Sequence, residues 1–220
     1  MTAKRRPQKQ RGWLSQLLFA LSLVFLFGGL FFLAWGVWPP PTDAAQLEIP
    51  AGVLPGVPSG RTYASMADYS LSVSWPVWVR AGEEGTLEVL LVEDDPDSSG
   101  VGDRPVQIIL VEPVIAGLAL DPSGRTQVNL AEGQNLDLSW TLESVQTGEY
   151  EGKVYVAFGF YDEAQGELVS VPVAVVDIAF EVTSLWGLEG RLALWFGLVG
   201  VALWGALFVL GRVAEGREMN

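Results

Sequence analysis

Asp95, Asp97, Ser99, Gly100 and Asp103 are the residues whose types and spacing point to chemistry. They occupy positions one, three, five, six and nine of a calcium-loop pattern, in which oxygen ligands at alternate positions surround a hard cation at a glycine turn. The spacing predicts a calcium site with Asp95, Asp97, Ser99 and Asp103 as ligands. Two features oppose it: position twelve is Val106 where a bidentate acid belongs, and the flanks read as strands, not helices. The alternative is a solvated hairpin loop whose charges, with Glu93 and Asp94, keep neighbouring hydrophobic strands from pairing edge to edge.

The rest of the inventory is defined by absences. There is no histidine and no cysteine, which removes the usual general base, thiolate nucleophiles, disulfides and the commonest transition-metal ligands. The serines have no His partner, and Lys153, the lone lysine of the middle region, lies in no Ser-x-x-Lys motif. A carboxylate pair for glycoside cleavage is compatible with the composition, but no spacing proposes one. The expectation is a protein that is not an enzyme, with calcium as its only candidate cofactor.

The elements that position these residues alternate with a period of two. Tyr69, Leu71, Val73 and Trp75 alternate with serines, and Leu87, Val89 and Leu91 follow after a Gly82 to Gly85 turn. Val106 to Val111 is apolar on both faces, as in a central strand. Leu136, Leu138, Trp140 and Leu142 alternate with polar residues, and Val154, Val156, Phe158 and Phe160 share one face. Val169, Val171, Val173 and Val175 line another strand, whose apolar parity then shifts to Ile178, Phe180 and Val182; the shift predicts a bulge near Val176 and Asp177 or a break into two strands. Trp75, Pro76 and Trp78 fit either an exposed aromatic platform or core filling. About seven strands separated by Gly, Pro, Asp and Ser turns predict an all-β antiparallel sandwich over residues 66–184, with a closed barrel as the runner-up.

The stretch from Trp140 through Gly148, Tyr150, Gly152 and Val154 to Val156 resembles the W…G-x-Y-x-G-x-V-x-V run of bacterial immunoglobulin-like domains. The resemblance implies a membrane-anchored immunoglobulin-like β-sandwich in which Tyr150 bonds the turn backbone through its hydroxyl and Trp140 plugs the core. The paired cysteines of antibody-type domains are missing, so that feature does not transfer.

Two oily runs bracket this region. Residues 13–38 contain no ionisable side chain, and Trp13, Trp35 and Trp38 lie near the run's ends, where amphipathic rings favour the headgroup level. A second run, residues 188–211, is apolar from Leu192 to Leu210. The basic tail, residues 1–12, carries Lys4, Arg5, Arg6, Lys9 and Arg11 without an acid, which predicts a cytoplasmic N-terminus. Arg212 and Arg217 put the tail 212–220 on the same side, so the middle lies outside. From Asp43 to Glu181 there are 23 acids against five bases, a balance of −18 that repels nucleic acid and anionic headgroups. Residues 39–65, rich in Pro and Gly, read as an extended stalk. The first span reads as a retained anchor; cleavage near Thr42 and Ala44 is the alternative.

Ala193, Gly197, Val201 and Gly205 recur at four-residue steps, the small-residue face that lets helix backbones approach. Gly28, Gly29 and Gly36 offer a reciprocal surface in the first span, and a homo-oligomer is the other use of that face. Partners are the lipid bilayer and another envelope or membrane protein. The sequence therefore predicts a two-pass protein of a bacterial cytoplasmic membrane, presenting an acidic sandwich for protein binding or scaffolding. A calcium-dependent adhesion module and an accessory subunit of a membrane enzyme or transporter are the alternatives.

Overall fold

The computed structural model describes residues 11–54, 64–65, 67–94, 107–131, 133–143, 146–162 and 166–218. The chain divides into two compact units. One is formed by Met1–Pro39 with Leu185–Asn220, the other by Pro40–Ser184.

The first unit is a helix pair, α1 (Arg11–Val37) and α2 (Gly190–Glu218). At about 1.5 Å per residue each is about 40 Å long. Both are long and apolar enough to cross a membrane, over Gln16–Val37 and Gly190–Val213. Their bounds lie within a few residues of the expected 13–38 and 188–211, except that α2 continues through Arg212 and into the expected tail. Arg212 folds its guanidinium back over Phe208, 5.6 Å from the ring centroid, as a long cationic side chain does at the end of an oily helix.

The second unit is all β. Its strands in chain order are β1 (Thr42–Ile49), β2 (Gly52–Val53), β3 (Ala64–Ser65), β4 (Tyr69–Pro76), β5 (Trp78–Arg80) and β6 (Glu84–Glu93). There follow β7 (Gln107–Ile115), β8 (Ala119–Asp121), β9 (Thr126–Leu130), β10 (Leu136–Glu143), β11 (Gly148–Asp162) and β12 (Glu167–Thr183). One sheet has the order β1-β4-β6-β10-β8, the other β5-β12-β11-β7-β9, and β2 pairs with β3. The alternation in the sequence has a direct counterpart: on β6 Leu87, Val89 and Leu91 are buried, whereas Glu88 and Leu90 face out. Residues from both five-stranded sheets fill one core, with Trp140 and Phe158 its largest fully buried side chains. The Tyr69 and Phe158 rings meet edge-on across the sheets at 5.7 Å. Burying each such side chain contributes about 1.5–3 kcal/mol, which is how a domain without disulfides is held.

The structure corrects two expectations. Residues 39–65 are not a stalk throughout: Thr42–Ile49 pairs antiparallel with β4 over its full length, so the sandwich begins near Thr42 and not at residue 66. The Pro and Gly content that suggested a stalk lies on either side of this strand, at Pro39–Pro41 and again from Pro50 and Gly52, whereas Thr42–Ile49 contains neither residue. Second, β12 is one continuous strand, and its register shift lies between Val156 and Ala157 of β11, opposite Ala174 and Pro172. The extra residue is therefore Val173, three positions before the expected bulge; Val175 is exposed, and the buried parity resumes with Ala174 and Val176. Between β7 and β10 the chain crosses between the sheets three times, the last crossing leading from β9 into β10. It turns at Gly117 (φ 76°), pairs briefly as β8 with β10, and returns past a cis Asp121–Pro122 peptide and Gly124 (φ 80°) to pair as β9 with β7.

Candidate functional site

The four expected calcium ligands, Asp95, Asp97, Ser99 and Asp103, lie outside the described residues. The acids at the base of that loop are described, and they hold the fold together. Glu93 is buried and its Oε2 accepts a 2.9 Å hydrogen bond from the Gly133 amide. Asp94 accepts the Ser70 hydroxyl through its carboxylate, and its amide donates to the Asp68 carbonyl at 3.1 Å. Asp68 in turn accepts the Ala51 amide at 2.6 Å. Among the described residues no three acids converge to hold a metal ion.

The corner implied by Tyr150 is present as geometry. Its hydroxyl donates to the Gln146 carbonyl at 2.9 Å, four residues upstream, and its ring stacks on Phe180 at 5.6 Å. Gly152, two residues on, is required by close approach: a Cβ there would lie 2.6 Å from the Val114 carbonyl oxygen of β7. Trp140 is buried, and its indole N–H has no hydrogen-bond partner among the described residues, so it serves as a volume filler.

Trp75 and Trp78 divide between the two readings. Trp75 is buried, and its indole N–H donates to the Ala179 carbonyl at 3.0 Å, tying β4 to β12 across the gap between the sheets. Trp78 is half-exposed, with the Arg80 guanidinium 5.0 Å from its ring centroid; Arg80, itself buried, also bridges Glu83 at 2.9 Å. A buried guanidinium needs such company because an uncompensated charge there is costly.

β12 leaves much of one backbone edge without a strand ladder among the described residues. It pairs with β11 along its whole length, but on its other edge the only ladder among the described residues is β5, over Glu181–Thr183. The Ala179 carbonyl and Glu181 amide point to that outer edge, where they meet Trp75 and Val77. By the two-residue period, Asp177 and Val175 also point outward. Next to this edge is a concavity of about 570 Å³ lined by Asp43, Trp75, Glu151, Lys153, Asp177 and Ala179. Lys153 and Asp177 stand directly opposite on β11 and β12 and form a hydrogen-bonded ion pair. That hydrogen bond, then the attraction of the carboxylate, holds the Lys153 ammonium above its ordinary range.

The expected helix-packing face is used in part. Ala193 is fully buried, and a Cβ at Gly197 would lie 2.8 Å from the Leu33 backbone nitrogen. A Cβ at Gly29 would lie 2.9 Å from the Val201 nitrogen. Gly205 has nothing within 4 Å of its Cβ position, and neither has Gly28. The residue missing from the four-step series is Gly200, whose Cβ would lie 2.9 Å from the Gly29 Cα. The signal was Gly197-x-x-Gly200, a three-residue step that shares a helix face as well as a four-residue step does. Ser22 is buried and donates back to the Phe19 carbonyl at 2.8 Å, so it adds no unsatisfied group.

No family model matches the chain, and no curated protein matches it. Among solved structures it is similar to the CARDB domain of a Pyrococcus furiosus protein, crystallised with di-metal ions: 17% identity, 50% of this chain and 84% of that one, TM-score 0.31. An MSP-domain-like protein of Caenorhabditis elegans matches at 14% identity, over 48% of this chain and 92% of that one, TM-score 0.29. A PapD-like domain of human CEP192 matches at 9% identity, over 50% and 81%, TM-score 0.26. The pairing of strands, not these likenesses, defines the chain as an all-β sandwich bracketed by two apolar helices.

Proposed function

We propose that this is a non-enzymatic two-pass membrane protein whose acidic immunoglobulin-like sandwich binds another envelope or membrane protein outside the cytoplasmic membrane. The observation that carries the reading is that both ends of the sandwich continue into apolar helices, paired backbone to backbone at Gly29, Gly197 and Gly200, with large apolar side chains facing outward. The Tyr150 corner and the Trp140 plug support the immunoglobulin-like assignment. The open edge of β12 supports protein binding, because exposed strand edges add strands from partners. The basic N-terminal tail supports an inward N-terminus.

The test is co-purification of the full chain from its native membrane in mild detergent after cross-linking. A stoichiometric partner is expected, and Val175→Pro, which removes an outward amide and leaves the β11 ladder intact, should lower its recovery at least several-fold. A chain recovered without any associated protein under several detergents overturns the binding role.

A further inference from the structure

The turn between β12 and α2 is built against local preference. Leu185 and Leu188 form an isolated bridge, and the Leu188 amide donates to the Leu185 carbonyl at 3.0 Å. The two residues between them, Trp186 (φ 53°) and Gly187 (φ 78°), both have left-handed backbone. Glycine adopts that conformation freely, but a bulky aromatic residue does so at a cost, and it persists only where the surroundings impose it. Trp186 is moreover 78% exposed, the highest value among the large hydrophobic side chains of the described residues. A strained position and an open tryptophan together need a reason.

The reason lies in the depth at which the ring sits. Trp186 packs against Phe31 at 6.3 Å and edge-on against Phe32 at 6.0 Å. Those residues lie five to six positions before the end of α1 at Val37, about 8 Å along the helix axis. Gly190, where α2 begins, is level instead with Gly36, since a Cβ at Gly36 would lie 3.4 Å from the Gly190 carbonyl oxygen. The Trp186 ring therefore reaches more than a helical turn further along α1 than the level at which α2 begins. Resting on the membrane-spanning reading, we infer that the Leu185–Leu188 turn is a lipid-embedded wedge, with the Trp186 indole seated at the ester and upper acyl level of the adjacent leaflet. An indole suits that level, because its body is apolar and its N–H finds an acceptor there. Lipid contact then accounts for both the exposure and the strain. The wedge gives the protein a third hold on the bilayer, placed where β12 leads into α2.

The absence of cysteine makes the test clean. In full-length protein reconstituted into phosphatidylcholine–phosphatidylglycerol vesicles, a polarity-sensitive fluorophore is attached to Trp186→Cys, to Phe27→Cys in the middle of α1, and to Val114→Cys on the sandwich. The Trp186→Cys label should be shielded from iodide several-fold relative to Val114→Cys, and quenched more by shallow than by deep spin-labelled lipid. The Phe27→Cys label should show the reverse depth order. Iodide access equal to that of Val114→Cys, with Phe27→Cys still lipid-quenched, overturns the wedge and leaves the spanning reading standing. Loss of lipid quenching at Phe27→Cys overturns the spanning reading, and the wedge with it. An independent measurement keeps the native ring: Trp186→Phe should remove a component of tryptophan emission that brominated lipid quenches, and an unchanged quenched fraction counts against the wedge.

Discussion

Between the two sheets, Trp140 and Phe158 are 1% and 0% exposed, surrounded by leucine and valine. Between the two helices the closest approaches to backbone are at Gly29, Gly197 and Gly200, where even one added carbon would lie within 3.0 Å of a backbone atom. The two regions thus close by opposite means, and the surrounding solvent explains why. In water, removing apolar area is itself stabilising, so the sandwich gains by enclosing large side chains. In lipid, an apolar side chain gains nothing by leaving the acyl chains, and helices pair through close contact of backbones. Accordingly the large residues of the helices, such as Val24, Phe27 and Trp195, face outward, whereas those of the sandwich face in.

That comparison fails if large-to-small substitution does not damage the sandwich. Trp140→Ala removes its largest fully buried side chain and should cost about 3–5 kcal/mol, a sizeable part of the total stability of a domain this size. The melting transition of the full chain in detergent should fall sharply or vanish. The reverse substitution should be the damaging one between the helices. Gly197→Leu or Gly200→Leu should cost about 1–3 kcal/mol, as overpacking generally does. A disulfide reporter at Phe32→Cys and Phe196→Cys, whose native rings are 6.2 Å apart, should then form much more slowly. Gly205→Leu, with nothing within 4 Å, should leave the reporter unchanged. Equal effects at Gly197 and Gly205 would mean that the small-residue face serves another contact.

The regions also differed in how much their sequence disclosed. Strand positions on β4, β6 and β10 were legible because one buried face and one wet face write a period of two. β1 was not, since Thr42–Ile49 lies at a sheet edge and buries only Ile49. The bulge at Val173 was misplaced because Val173 and Val175 are chemically alike, so composition could not show where the inward face changed. In the helices, period alone could not separate Gly197 from Gly205, because only the position of α1 decides which glycine is met. Gly200 and the turn at Trp186 had no signal at the four-residue step. For the candidate site, the acidic loop drew attention by density, whereas the exposed edge of β12 depends on which strands fail to pair, a property of topology and not of residue type.

The smallest expected effect separates the regions by charge. Lys153 and Asp177 lie on the sandwich surface with side-chain exposures of 50% and 79%, so water and salt screen the pair. The Lys153 ammonium is nevertheless held above 10.5 by its hydrogen bond to Asp177 and then by the carboxylate's attraction. A folded value above the unfolded one means that the contribution is fully present below about pH 10 and is lost as pH rises through the raised value. Asp177→Asn should therefore melt slightly below the unsubstituted chain at neutral pH, and the gap should close as the pH rises through the raised Lys153 value. Added salt should narrow it as well. The melting difference between Gly197→Leu and the unsubstituted chain should not change over the same range, because from Leu192 to Gly211 and from Gln16 to Val37 no native side chain titrates. A gap that widens with alkali would mean that Asp177 acts through some contact other than Lys153.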